Sequence, residues 1–155
     1  PLGLAPIPGC HGAFAGGLHA ILRWRAGMLL SMSAAVALVG GDTASLGSEL
    51  TTAGIDWRHL PIPDFGAPPS ETADLWPDVS RDAHRLLEQG GKVFAHCYGG
   101  CGRSGMALMR LMVEAGEDAD PALDRLRAVR ACAVETEDQR SWAALPMVQR
   151  KGLTK

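Results

Sequence analysis

Residues 92–111, KVFAHCYGGCGRSGMALMRL, set the tightest limit on what this chain can fold into. A short apolar run ends in a histidine and a cysteine and enters a turn rich in glycine. An arginine and a serine then open an amphipathic, methionine-rich stretch. The pattern reads as strand, tight turn, helix. Gly99, Gly100 and Gly102 allow the turn a backbone that bulkier residues resist. Its N–H groups converge on one point, and the positive end of the following helix strengthens the field there. Such a turn is a cradle for an anion, and Arg103 can grip a tetrahedral oxyanion through two N–H groups at once. Cys97 lies at the mouth of the same field, which favours a thiolate and so a nucleophile.

Around this segment, strand and helix patterns alternate. Strands are expected at 2–7, 34–40, 55–62 and 92–96. Helices are expected at 18–25, 44–53, 71–89 and 103–115, then from Pro121, and finally from about 136 to 149. The run 34–40 is apolar throughout and stops at Gly40-Gly41, as a strand buried on both faces would. In 71–89, Leu75, Trp76, Val79, Ala83, Leu86 and Leu87 recur at helical spacing and Gly90-Gly91 closes the pattern. The alternation predicts an α/β fold, a three-layer sandwich with a central, mostly parallel sheet of four to five strands flanked by helices. With 155 residues the chain is expected to form a single domain, 1–155.

Composition narrows the partners. Fifteen basic residues face 17 acidic ones, a formal net charge of −2, which argues against nucleic acid as a ligand. The most apolar stretch, Ala26 to Gly40, is broken by Ser31 and Ser33 and falls short of the ~20 residues a membrane span needs. The opening PLGLAPIPGC lacks the charged-then-apolar pattern of a secretory leader, so a reducing cytoplasm is the expected compartment. Four cysteines, Cys10, Cys97, Cys101 and Cys132, are too few for a disulfide scaffold. Cys101 is expected to be a small filler inside the turn. The sharper alternative for it is an oxidative bond to Cys97 that shields the nucleophile.

The segment HCYGGCGRSG, with five residues between Cys97 and Arg103, resembles the signature of the Cys-based protein tyrosine phosphatase superfamily, dual-specificity type. The loop is most like that of the kinase-associated members. The resemblance implies roles residue by residue. Cys97 is the nucleophile that forms a phosphocysteine, and Arg103 binds the phosphate. The backbone of Tyr98, Gly99, Gly100, Cys101, Gly102, Arg103 and Ser104 holds its oxygens. Ser104 hydrogen-bonds the sulfur and helps it leave, and His96 orients the loop. A general acid is also needed, and two aspartates compete for that role. Trp76-Pro77-Asp78 matches the literal acid tripeptide of tyrosine-specific members, but it falls inside the 71–89 helix. Asp64, in LPIPDFGAPP just past a strand, resembles the dual-specificity acid loop and is the expected acid. AVETEDQRSW resembles a loop that carries two glutamines in tyrosine-specific members. This chain has Glu135 at the first position and Gln139 at the second, which makes them candidate water-positioning residues. Arg130 matches an arginine common just upstream and reads as structural.

The resemblance implies a phosphomonoesterase acting on phosphotyrosine, and on phosphoserine or phosphothreonine, in a protein or peptide partner. It needs no metal or other cofactor, and the chain is expected to be a monomer. The alternatives are a phosphatase of a non-protein phosphoester and a phosphoprotein-binding module without turnover. Sulfur or arsenate chemistry on the same loop is disfavoured by the Asp64 loop and Ser104. Other readings of the segment fail on chemistry. Gly100-x-Gly102-x-x-Gly105 has the form of a dinucleotide fingerprint but lacks the strand and acidic residue that should follow. A Walker loop needs lysine where Arg103 stands. A zinc site from Cys10, His11, His96, Cys97 or Cys101 lacks paired ligand spacing.

Overall fold

A computed structural model describes residues 1–35 and 45–147. Four strands form one sheet: β1 (Leu2–Pro6), β2 (Met28–Ser31), β3 (Asp56–His59) and β4 (Val93–Cys97). Their order is β1-β4-β2-β3, and every neighbouring pair is parallel. Parallel neighbours cannot be joined by a tight turn and need a crossover. Helix α1 (Phe14–Trp24) lies between β1 and β2, and α2 (Leu46–Thr52) between β2 and β3. Helix α3 (Ser70–Glu88) leads into β4. Three helices follow it: α4 (Gly102–Glu114), α5 (Ala119–Val129) and α6 (Glu137–Ala143).

Side chains alternate across a strand, so one strand feeds two cores. Leu29 and Phe94 join Ile7, Ile21, Leu46 and Leu50 in a cluster under α1 and α2. Met28, Leu30, Val93 and Ala95 join Trp76, Val79, Leu108 and Leu126 in a larger cluster under α3, α4 and α5. The sheet is thus the middle of three layers, as expected. The two central strands, β2 and β4, are buried along their whole length, which explains their lack of polar alternation.

Helices α3, α4 and α6 are also joined by polar contacts. The carboxylate of Glu114 accepts from Trp76 Nε1 at 3.0 Å and from Arg110 Nε at 2.7 Å. The side chains of Arg110 and Glu114 are only 4% and 2% exposed, so each charge depends on the other. The indole of Trp76 meets that of Trp142 edge-on at 4.9 Å.

Two expectations need correction. The strand preceding β3 in the chain is Met28–Ser31, whereas the sequence pointed to 34–40, a run that lies almost wholly outside the described residues. MLLS and AAVALVG are neighbouring apolar runs, and hydropathy alone does not decide which one takes the slot. Register decides it: Met28 to Ser31 pair with Val93 to His96 on one side and Asp56 to His59 on the other. The last helix stops at Ala143 rather than near 149. Pro146 disfavours helical backbone at Leu145, so the helix ends before it.

Backbone bonds past the strand ends align the loops at the C-terminal edge of the sheet. Ile7 N–H donates to Cys97 O at 2.8 Å, Met32 N–H to His96 O at 2.9 Å, and Leu60 N–H to Ser31 O at 2.8 Å. This edge carries the site.

Candidate active site

Cys97 ends β4 and Gly102 begins α4, so the glycine turn occupies only the residues between them. Gly100 has φ +65°, and a Cβ there would lie 2.3 Å from the Ala5 carbonyl carbon and the Pro6 nitrogen of β1. No other residue fits against that strand. Arg130 grips the outside of the turn, donating from Nη2 to Gly99 O at 2.9 Å and from Nε to Gly100 O at 3.1 Å. In a planar trans peptide the N–H points away from the C=O. With these two carbonyls turned out to Arg130, the N–H groups of Gly100 and Cys101 turn inward.

Cys97 is buried, and its Sγ lies 3.4 Å from Ser104 Oγ. Arg103 is buried as well. Its Nη1 donates to Ile62 O at 2.9 Å, and its Nη2 is paired with the Asp64 carboxylate. The expected acid loop therefore reaches the glycine turn, although β2 lies between β3 and β4 in the sheet. Leu60 and Ile62 anchor that loop in the core, while the Asp64 side chain is 70% exposed. Phe65 beside it and Tyr98 beside Cys97 are both largely exposed. Tyr98 therefore contributes backbone to the turn, and its ring lies at the surface.

His96 is fully buried beneath the turn. Its Nε2 lies 2.6 Å from Ser31 Oγ, which also accepts from Trp57 Nε1 at 2.7 Å. Burial, then the positive charges of His59 and Arg103, push its pKa down to about 3. The ring is neutral at physiological pH, and it ties β4 to the ends of β2 and β3. Sequence reasoning did not find Ser31 and Trp57, because nothing in a strand pattern marks a hydroxyl or an indole that will meet a histidine from far along the chain.

The segment after α5 covers the turn from outside. Thr136 Oγ1 donates to Phe65 O at 3.0 Å, and Gln139 Nε2 donates to Gly66 O at 3.2 Å. Gln139 is fully buried and its Oε1 accepts the N–H of Glu135 at 2.8 Å. Glu135 Oε2 accepts the N–H of Gly102 at 3.0 Å, so its carboxylate sits where the glycine turn enters α4. Cys101 is not a filler, and it does not pair with Cys97. It forms a disulfide with Cys132, which leaves Cys10 and Cys97 as free thiols. Spacing gave no sign of this bond, since the two cysteines meet only because the segment after α5 folds back over the turn. Asp78 lies on the exposed face of α3, paired with Arg81 at 2.7 Å, while Trp76 of the same tripeptide is core.

A cysteine at the mouth of an N–H cradle, backed by a buried arginine and serine, defines an oxyanion-handling site on a parallel α/β sheet. Residues 29–117, more than half of the chain, match the model of the Tc-R-P family, described as "Polymorphic toxin system, DSP-PTPase phosphatase". The chain belongs to this family of dual-specificity-type, Cys-based phosphatases. It is 35% identical over 89 residues to cyclin-dependent kinase inhibitor 3 of Rattus norvegicus, a match covering 56% of this chain and 41% of that protein. It is 28% identical over 89 residues to PRL-1 phosphatase of Drosophila melanogaster, covering 57% of this chain and 50% of that one. These matches thus span half or less of the relatives' length. Tk-PTP in its active form superposes with a TM-score of 0.66 at 30% identity, covering 82% of this chain and 81% of its own. Kinase associated phosphatase, with its catalytic-site cysteine replaced by serine, superposes at 0.77 with 23% identity over 92% and 83% of the two chains. That last likeness bears on the fold.

Two outcomes follow from this geometry. Below the ordinary histidine value near ~6.5 the unfolded chain takes up a proton at residue 96. The folded chain refuses that proton until about pH 3. Stability should therefore fall as pH drops through that window and should not respond to His96 above it. Thermal melts between pH 7 and 4 should show a shallower decline for His96→Asn than for the wild type. The disulfide closes a loop of sequence separation 31. Chain entropy gives such a closure about 3–4 kcal/mol. Cys132→Ala, or reduction of the wild type, should lower the denaturation midpoint accordingly, and equal midpoints for the oxidised and reduced wild type would refute this.

Proposed function

We propose that this chain is a phosphomonoesterase working through a phosphocysteine, with phosphotyrosine and phosphoserine or phosphothreonine of a protein or peptide as substrate. The observation that carries the reading is the set of contacts after β4, in which Cys97 touches Ser104 and the adjacent Arg103 is held by Ile62 O and the Asp64 carboxylate. Substrate phosphate would enter over the inward N–H groups and replace Asp64 as the partner of Arg103. Asp64, released from Arg103, takes up a proton from solvent. The Cys97 thiolate then attacks phosphorus in line with the ester oxygen, forming S–P as P–O breaks, and Asp64 passes that proton to the leaving oxygen. Arg103 and the loop N–H groups balance charge on the equatorial oxygens, so the step asks for no metal. In the second step water attacks phosphorus with Asp64 as base. The sulfur leaves as thiolate, helped by the Ser104 hydroxyl at 3.4 Å.

His96 supports this from below as a neutral spacer joining three strands. Glu135 and Gln139 remain candidates for holding the water. Residues 1–155 act as one phosphatase domain, as a monomer and in the cytoplasm. A nucleophilic thiolate stays usable where reductants restore it, and there the Cys101–Cys132 bridge, exposed at Cys132, would stand open.

Cys97→Ser should abolish hydrolysis of aryl phosphate and of phosphotyrosine peptides while retaining vanadate binding. Chelator-sensitive activity surviving in that variant would overturn the mechanism, and peptide binding with no turnover by the wild type would make the chain a binding module. Asp64→Ala should lower kcat by roughly 10²–10⁴, the usual weight of a general acid. Asp78→Ala should leave kcat within a few-fold, and the opposite pattern would move the acid to α3.

A further inference from the structure

Two protein carboxylates rest on groups that the reading above reserves for phosphate. Asp64 holds Arg103 and has its own task at the leaving oxygen. Glu135 holds the N–H of Gly102, the first residue of α4, where the helix's positive end adds to the attraction. This contact is built into the fold. The N–H of Glu135 is fixed by the buried Gln139, and Gln139 is tied on to Gly66 O of the acid loop. Val134, just before it, is buried with φ +60°. A β-branched residue rarely adopts that backbone, so packing imposes the turn that delivers Glu135. Gly102 leaves the room, since a Cβ there would lie 2.2 Å from Glu135 Oε2.

The surroundings share its sign. Beyond Glu135 runs a groove of about 500 Å³ lined by Asp120, Asp124 and Glu137, with Arg127 and Arg140 as its basic groups. Arg127 is committed to the carbonyls of Ala133 and Val134, and Arg140 to Asp120. Arg140 also lies 3.9 Å from Glu137, and with Glu135 the lining still holds four carboxylates against two guanidiniums, so the groove is net negative.

We propose that Glu135 is a specificity-determining residue: the protein's own anion, carried on an exposed residue, on the Gly102 N–H that an incoming phosphate must displace. The negative groove it opens selects phosphomonoesters flanked by positive charge over those flanked by negative charge. This rests on the phosphatase reading of the pocket. In that role Glu135 raises the threshold for binding free phosphate and for acidic phosphopeptides. A cationic neighbour in the substrate compensates by pairing with the displaced carboxylate.

The test is made in the Cys97→Ser background, so that it needs no turnover, with binding read by calorimetry. The ligands are inorganic phosphate, vanadate and two phosphotyrosine peptides that differ only in having arginine or aspartate beside the phosphotyrosine. Glu135→Gln keeps the side-chain length and removes the charge. It should tighten phosphate and vanadate by roughly 5- to 20-fold and reduce the preference for the arginine peptide at least about 3-fold. Glu135→Asp, which keeps the charge, should retain the preference. With Cys97 present, Glu135→Gln should lower KM for aryl phosphate. Unchanged affinities and an unchanged peptide ratio in Glu135→Gln would overturn the proposal, and so would a fall in kcat alone, which would return Glu135 to the water. Failure of the wild type to hydrolyse aryl phosphate would instead defeat the phosphatase reading, while the binding comparison still decides the role of Glu135.

Discussion

A loop that aims several N–H groups at one point must place its carbonyls somewhere else, and much of this fold serves that need. Arg130 takes the carbonyls of Gly99 and Gly100. The β1 backbone presses against Gly100 so closely that no side chain fits between them. β1 therefore does more than extend the sheet, because it forms the wall against which the turn is bent. Its own register is set by β4, the strand that delivers Cys97, so Cys97 and the wall behind its turn are fixed by a single strand pairing.

The second constraint is charge. Arg103 is buried with a carbonyl and a carboxylate as partners, because a lone guanidinium would be costly in that position. The protein thus keeps this cation paired. His96 is neutral at the same depth, so no second charge accumulates under the turn. The Ser31 hydroxyl, itself held by Trp57, gives it a polar neighbour without asking it to ionise.

The core of this arrangement was legible in the sequence because it is local. Cys97, three glycines, Arg103 and Ser104 lie within eight positions, and their turn-then-helix chemistry follows from residue type. Asp64 could be preferred over Asp78 because one follows a strand and the other falls within a helical period, and the structure places only Asp64 on Arg103. What escaped depends on contacts between distant segments. The β2 slot was contested by two adjacent apolar runs, and only pairing with β3 and β4 settles it. The Cys101–Cys132 bond arises because the segment after α5 folds back over the turn, the same return that brings Arg130 and Glu135, both expected near the site, onto it. No spacing rule encodes that return.

The same bond has a consequence for the chain's covalent integrity. It joins the glycine turn to the end of α5, so α4, α5 and the exposed turn between them, at Ala115 and Gly116, form a closed ring. A protease that cut the backbone at that turn would leave the two pieces as one molecule. Cys97 would stay attached to the segment that covers its turn until a reductant released it.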